Sequence, residues 1–216
     1  MDLTVARKKM IDCQIRPNDV TDERLISAFH KVPRETFLPK AMAGIAYSEV
    51  ELETSSGRKL WLARDLAKLL QALEVDDSDL VLVIGAGEGY AASLLNELGD
   101  TVIALENDQD VVDAGADLML SLNMDRVAFV SGDLAKGYPD EGPYDVVFVN
   151  GMVEYVPEAW LEQLAPGGRL GVVVGDNRNG EARVYTRSET STSYKAYFDC
   201  VPPTLNGFRA EAGFVF

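Results

Sequence analysis

The sequence predicts a doubly wound α/β fold with a mostly parallel sheet, a helical extension at its N-terminal side and an antiparallel edge at its C-terminal side. Three observations carry this. Between residues 80 and 174, apolar and β-branched runs alternate with helical patterns of about ten residues, the rhythm of a parallel sheet covered on both faces. The run Leu80-Val81-Leu82-Val83-Ile84 leads directly into Gly85-Ala86-Gly87-Glu88-Gly89 and then into a helical stripe of Ala91, Ala92, Leu94, Leu95 and Leu98. After Gly180 the helical patterns stop, and segments 182–187, 195–200 and 212–216 read as consecutive strands.

Each element follows from local chemistry. Residues 4–16 read as a helix broken by Pro17-Asn18-Asp19. Thr21 is the expected N-cap of a second helix, with Asp22 and Glu23 in its first turn and Leu25, Ala28, Phe29 and Val32 on one face, ended by Pro33. Residues 37–47 read as loop or short helix, and 48–59 as a polar, turn-rich loop. A helix at 60–74 carries Leu62, Leu66, Leu69, Leu70 and Leu73 on one stripe. Strands at 80–84, 101–105, 127–130, 144–149 and 169–174 then alternate with helices at 89–98, 109–122 and 157–164. One domain accounts for all 216 residues: a helical segment and loop (1–75), a core (76–180) and C-terminal strands (181–216).

Composition narrows the function. With 20 Lys+Arg against 35 Asp+Glu the formal net charge is −15, which repels nucleic acid backbones and anionic membranes. No apolar run approaches the ~20 residues of a membrane span, and no apolar stretch follows Arg7-Lys8-Lys9 to make a signal peptide. Cys13 and Cys200 are far apart and lack neighbours at metal-ligand spacing, so no metal is expected; buried free thiols in a reducing cytoplasm are the simplest reading. His30, the only histidine, is expected to be structural or exposed.

In an open α/β sheet a ligand lies outside the carboxyl ends of the strands. The strand-end residues here outline a nucleoside. Gly85, Ala86, Gly87 and Gly89 form a loop whose backbone approaches the ligand closely. Glu106, with Asn107 beside it, follows about 20 residues later, where an acid accepts from both ribose hydroxyls, or else is a solvated carboxylate. Asp133 is placed to accept from an adenine amine, with Leu134 packing on the ring; the alternative is an Asx turn cap. Asn150 lies at the height of a transferred group, or caps a turn. The third glycine is too early for a dinucleotide fingerprint, and no Tyr-x-x-x-Lys pair is present, which argues against an NAD(P) oxidoreductase.

The G-x-G-x-G spacing resembles motif I of the S-adenosylmethionine (SAM)-dependent methyltransferases. Val32-Pro33-Arg34-Glu35, Phe37-Leu38-Pro39, Ala46-Tyr47, Leu105-Glu106, Gly132-Asp133, Tyr144-Asp145-Val146 and Gln163-Leu164-Ala165-Pro166-Gly167-Gly168-Arg169-Leu170 follow in the order seen in the protein-L-isoaspartate O-methyltransferases. The resemblance covers nearly the whole chain. It implies a Rossmann-like sheet, a SAM cofactor and methylation of isoaspartyl carboxylates in damaged proteins. Two positions depart from the family. Val83 stands where the family has an acid that helps hold the methionine end of SAM. The family's substrate loop, G-Q-T-I-S-x-P, is Gly57-Arg58-Lys59-Leu60-Trp61-Leu62-Ala63 here.

Methylating a carboxylate needs alignment and exclusion of water rather than a base, because the nucleophile is ionised near pH 7. Residues 53–63 are therefore the expected acceptor gate. Ser55 or Ser56 would replace the lost hydroxyl. Arg58 or Lys59 would pair with an acceptor carboxylate without touching the cofactor, and Trp61 would act as a lid or simply pack. A solvated polar loop is the plainer reading of this segment. The alternative function is a SAM-binding relative without isoaspartyl activity, with a regulatory role or another methyl acceptor.

Overall fold

A computed structural model describes residues 2–210. Helix α1 (Leu3–Met10) starts at Asp2, whose carboxylate accepts from the Thr4 and Val5 N–H groups. It runs into a single π-helical turn, Ile11–Ile15, and a 3-10 turn, Arg16–Asn18, closed by Asp19 in the left-handed region. The predicted helix at 4–16 is thus three geometries in succession. The wide π turn buries both Ile11 and Ile15. Cys13 on this turn is exposed, a correction to the expectation that both thiols are buried, whereas Cys200 is buried.

Helix α2 (Glu23–Lys31) is capped by Asp22 rather than by Thr21, because the Asp22 carboxylate accepts from Arg24 and Leu25. The Thr21 N–H instead donates to Gln71 at 2.7 Å, fastening α2 to the next helix. Two 3-10 turns follow, Arg34–Phe37 and Lys40–Ile45. Across the predicted loop at 48–59 and the first residue of the predicted helix at 60–74, β1 (Leu52–Glu53) and β2 (Lys59–Leu60) pair as a small antiparallel hairpin. Two residues per strand are too few for a period of two to show in sequence. Helix α3 (Ala63–Ala72) buries Ala63, Leu66, Ala67, Leu69 and Leu70; Leu62 precedes its first turn.

The core comprises β3 (Leu80–Ile84), α4 (Tyr90–Asn96), β4 (Thr101–Glu106), α5 (Gln109–Ser121), β5 (Val127–Ser131), β6 (Tyr144–Val153), α6 (Glu158–Glu162), β7 (Leu164–Gly175), β8 (Gly180–Arg187) and β9 (Thr192–Asp199). Seven strands lie in the order β5-β4-β3-β6-β7-β8-β9. The five from β5 to β7 are mutually parallel; β8 and β9 join as antiparallel additions. The chain winds from β3 outward through β4 to β5, then returns to the other side of β3 as β6. That reversal opens a crevice at the carboxyl ends of β3 and β6.

Side chains alternate between two apolar layers. Val81, Val83, Val102, Ala104 and Phe148 face a layer that includes Met10, Ile11, Ile15 and residues of α2, α3 and α4. Leu82, Ile84, Ile103, Leu105, Val147 and Val149 face a second layer with Trp160, Leu205 and Phe208. The described residues ahead of α2 therefore pack against α2 and α3 on this side of the sheet.

Strand β6 is longer than the sequence pattern suggests, because residues 203–208 return across its carboxyl end. The Met152 N–H donates to Pro203 O, Leu205 N–H to Met152 O and Glu154 N–H to Phe208 O, at 2.8 to 2.9 Å. Strand β7 likewise begins at Leu164, five residues ahead of the expected 169, and α4 and α6 are shorter than expected. The predicted strand at 212–216 lies outside the described residues.

Candidate active site

The three loop glycines all adopt positive φ: 72° at Gly85, 57° at Gly87 and 93° at Gly89. Only glycine takes these angles without strain, so the tight turn between β3 and α4 is available to this sequence. At Gly89 the constraint is also one of space, since a Cβ there would lie 2.9 Å from the Phe129 ring. Gly85 and Ala86 both donate backbone N–H groups to Leu105 O, which ties the loop to β4.

Glu106 closes this loop from the end of β4. It is fully buried. Its Oε1 accepts the Gly87 N–H at 2.8 Å, and its Oε2 accepts the Asn107 N–H at 3.1 Å. Arg58 completes the set: its Nη2 donates to Glu106 Oε2 at 2.7 Å. A buried carboxylate needs a charged partner, and Arg58 on the hairpin turn reaches it. Arg58, expected from sequence to face the acceptor, is thus paired with the Glu106 carboxylate in this structure.

Beside this pair lies a cleft of about 210 Å³ bounded by Ser56, Gly57, Arg58, Glu106, Asn107 and Asn206. Asn107 and Asn206 also border a second cleft of about 420 Å³, lined by Ser131, Gly132, Asp133, Leu134 and Phe208. Leu134 is buried as part of its wall. The Asp133 carboxylate accepts the Ala135 N–H at 3.0 Å, capping the short turn after β5, and stands 3.7 Å from Lys136 Nζ. Asn150 lies across the loop at β6, where its Nδ2 donates to Gly85 O at 2.9 Å. That bond holds the two strand ends of the crevice together.

The hairpin β1–β2 lies over the glycine loop. Ser55 is exposed in its turn, and the Ser56 N–H donates to Glu88 Oε1 at 2.8 Å. Trp61 is not a movable lid. It is 1% exposed and packs on Phe148 with ring centroids 5.8 Å apart. Its carbonyl accepts Arg34 Nη2 at 2.6 Å. It forms the inner wall of a narrow cavity shared with Ala86, Gly87, Glu88, Tyr90 and Asn150. His30 is exposed on α2, away from these residues.

Two contributors escaped the sequence reading. Residues 203–208 roof the crevice, with Leu205 packed over Gly85 and Gly151. Glu88, read only as a spacer between glycines, supplies a second carboxylate to the loop. The turn pair Asn206-Gly207 was the one visible signal for the roof.

The fully buried acid beside a cleft, continued past Asn107 into a larger one walled by both polar and apolar residues, fits a ribose followed by a planar base. Residues 5–204 match the family described as protein-L-isoaspartate(D-aspartate) O-methyltransferase. The protein-L-isoaspartate O-methyltransferase of Methanoculleus marisnigri is 35% identical over 169 residues, 78% of this chain and 77% of that protein. A solved protein-L-isoaspartate O-methyltransferase superimposes with a TM-score of 0.81 at 26% identity, over 93% of this chain and 66% of that one. A Plasmodium falciparum beta-aspartate methyltransferase, solved in complex with S-adenosyl-L-homocysteine, shares the fold at 16% identity with a TM-score of 0.78, over 95% of this chain and 99% of that one. The motifs, the fold and the match over nearly its whole length agree: this chain belongs to the protein-L-isoaspartate O-methyltransferase family.

Proposed function

We propose that this protein is a SAM-dependent methyltransferase that esterifies the free carboxylate of isoaspartyl residues in damaged proteins. The observation that carries the reading is the buried Glu106 carboxylate at the end of β4, where two joined clefts meet beside a glycine turn. Glu106 accepts the ribose hydroxyls. Leu134 packs on the adenine while Asp133 accepts from its amine, and Asn107 borders both clefts. Gly85, Ala86, Gly87 and Gly89 let the backbone approach the thioether arm, and Asn150 fixes the far wall. The bound cofactor supplies an electrophilic methyl group on a sulfonium sulfur.

The protein's part is to position and to dry the site. The acceptor carboxylate is already ionised near neutral pH, so no base is required. Trp61, on the inner wall of the narrow cavity, and Leu205, packed over Gly85, supply apolar surface that excludes water from the site. Arg58 gives up Glu106 to the ribose hydroxyls, and its guanidinium is then free at the mouth for the acceptor carboxylate. Ser55 and Ser56 lie beside it on the same turn. The acceptor is a protein or peptide chain; the net charge of −15 disfavours nucleic acid as a partner. The two unpaired thiols suit a reducing, cytoplasmic setting.

Two peptides of one sequence, differing only in an isoaspartyl or aspartyl linkage, test the acceptor. Incubation with SAM labelled in its methyl group should label the isoaspartyl peptide alone, as a base-labile ester. Label on neither peptide, with cofactor binding intact, removes the isoaspartyl assignment.

A further inference from the structure

The narrow cavity between Trp61 and the glycine turn holds about 10 Å³. A water molecule needs on the order of 10–15 Å³, so one water fits and no organic group does. The lining is polar beyond what the protein itself satisfies. Among the described residues, seven buried side-chain N or O atoms have no hydrogen-bond partner, and three of them belong to the twelve residues around this cavity. They are Trp61 Nε1, Glu88 Oε2 and the Tyr90 hydroxyl. Trp61 and Tyr90 are 1% and 3% exposed, so bulk solvent reaches neither. The other polar side chains of the lining are already engaged: Thr54 with Arg58 O, Arg58 with Glu106, Lys59 with Glu51, and Asn150 with Gly85 O.

The three unpaired groups complement one another. An indole N–H only donates, an ionised carboxylate oxygen only accepts, and a hydroxyl does both. No two of them bond directly. A single water accepts from Trp61, donates to Glu88 and shares its third bond with Tyr90; about three bonds is the usual number for a buried water. A buried donor and a buried acceptor left unmet are each costly, and one molecule relieves both.

We propose that this cavity is a site for one long-lived structural water, held by Trp61 Nε1, Glu88 Oε2 and the Tyr90 hydroxyl. The water completes a clamp between the β1–β2 hairpin and the glycine turn. Glu88 Oε1 already accepts the Ser56 N–H at 2.8 Å, from the turn of the hairpin. Trp61 directly follows β2, so the water joins the second Glu88 oxygen to the hairpin's end. Both oxygens of one carboxylate then fasten the hairpin to the loop between β3 and α4. A water fixed by three bonds belongs to the wall of the site, and mobile water is still kept out.

The protein's two tryptophans supply an internal control. Trp160 is also buried, but its Nε1 already donates to Leu134 O at 2.7 Å. In isotope-labelled, ligand-free protein the two indole N–H signals are told apart by their neighbours, Phe148 for Trp61 and Phe208 for Trp160. Water-selective nuclear Overhauser spectra should show a cross-peak of the sign of a bound water at the Trp61 N–H and none at Trp160. A crystal structure of the same chain should show one solvent peak within about 2.7–3.2 Å of both Trp61 Nε1 and Glu88 Oε2. Both results are required: the crystal peak excludes magnetisation relayed from the Tyr90 hydroxyl, and the solution signal excludes a water trapped by freezing. No cross-peak at Trp61, equal cross-peaks at the two indoles, no crystal peak, or a peak that touches only one of the two atoms overturns the proposal.

Discussion

Arg58 and Glu106 form the contact on which the site turns. The pair joins residues 48 apart in sequence, which is why a local motif reading saw both residues and not their bond. Because the guanidinium sits on the acid proposed to hold the ribose, cofactor binding in that reading works against this pair. Arg58→Ala should raise S-adenosylhomocysteine affinity by about tenfold, equivalent to about 1.4 kcal/mol. The same change should lower the stability of the ligand-free protein by about 1–3 kcal/mol, because it leaves a buried carboxylate under-satisfied. Unchanged or weaker binding would show that Arg58 and the ribose do not compete. The two thiols give a simpler test. Burial pushes the Cys200 thiol up to about 12, so it stays protonated and unreactive at pH 8, while Cys13 is exposed. A thiol reagent should therefore modify one cysteine in the native protein and both after unfolding. Rapid native modification of two would contradict the placement of Cys200.

At the scale of elements, the roof over the crevice is held by a few specific contacts. Leu205 is 2% exposed and rests against Gly85 and Gly151. Leu205→Ala should cost about 2–5 kcal/mol in denaturant unfolding, the range for a buried leucine truncated to alanine. A loss under ~1 kcal/mol would mean that residues 203–208 do not close the crevice in solution. A second set of contacts anchors α1. Arg7 donates to the Tyr47 hydroxyl at 2.7 Å and to Glu35 at 3.2 Å, and the Tyr47 hydroxyl donates to Glu35. Burial, reinforced by the bond to Glu35, pushes the Tyr47 hydroxyl well above its usual range, so it remains a donor at all ordinary pH. Glu35→Ala takes one acceptor from each partner and should destabilise the protein by about 1–3 kcal/mol. These elements mark the limit of what was legible beforehand. The strand at 80–84, its glycine turn and Glu106 announce themselves because their chemistry is local: a buried apolar run, residues that tolerate positive φ, and an acid at a strand end. The β1–β2 hairpin, the π turn at Ile11–Ile15 and the roof do not, because their backbone bonds are made by tertiary contact and leave no periodicity behind.

Across the whole molecule, the winding from β3 out to β5 and back to β6 brings Glu106, Asp133, Glu88 and Asn150 to one edge of the sheet from four separate places in the chain. Each was visible in sequence as a residue after a strand or within the glycine turn; what each touches was not. Asp133 caps its own turn, Asn150 ties two strand ends, and Trp61 is buried against Phe148. The central claim is that a nucleoside cofactor lies across these strand ends with its ribose on Glu106. Calorimetric titration with S-adenosylhomocysteine tests it most directly. The unaltered chain should bind one equivalent, and Glu106→Ala, checked for native unfolding behaviour, should bind about 10- to 100-fold more weakly as ligand hydroxyls lose their acceptor. No binding by the unaltered, folded chain, or equal affinity in the two proteins, would contradict it.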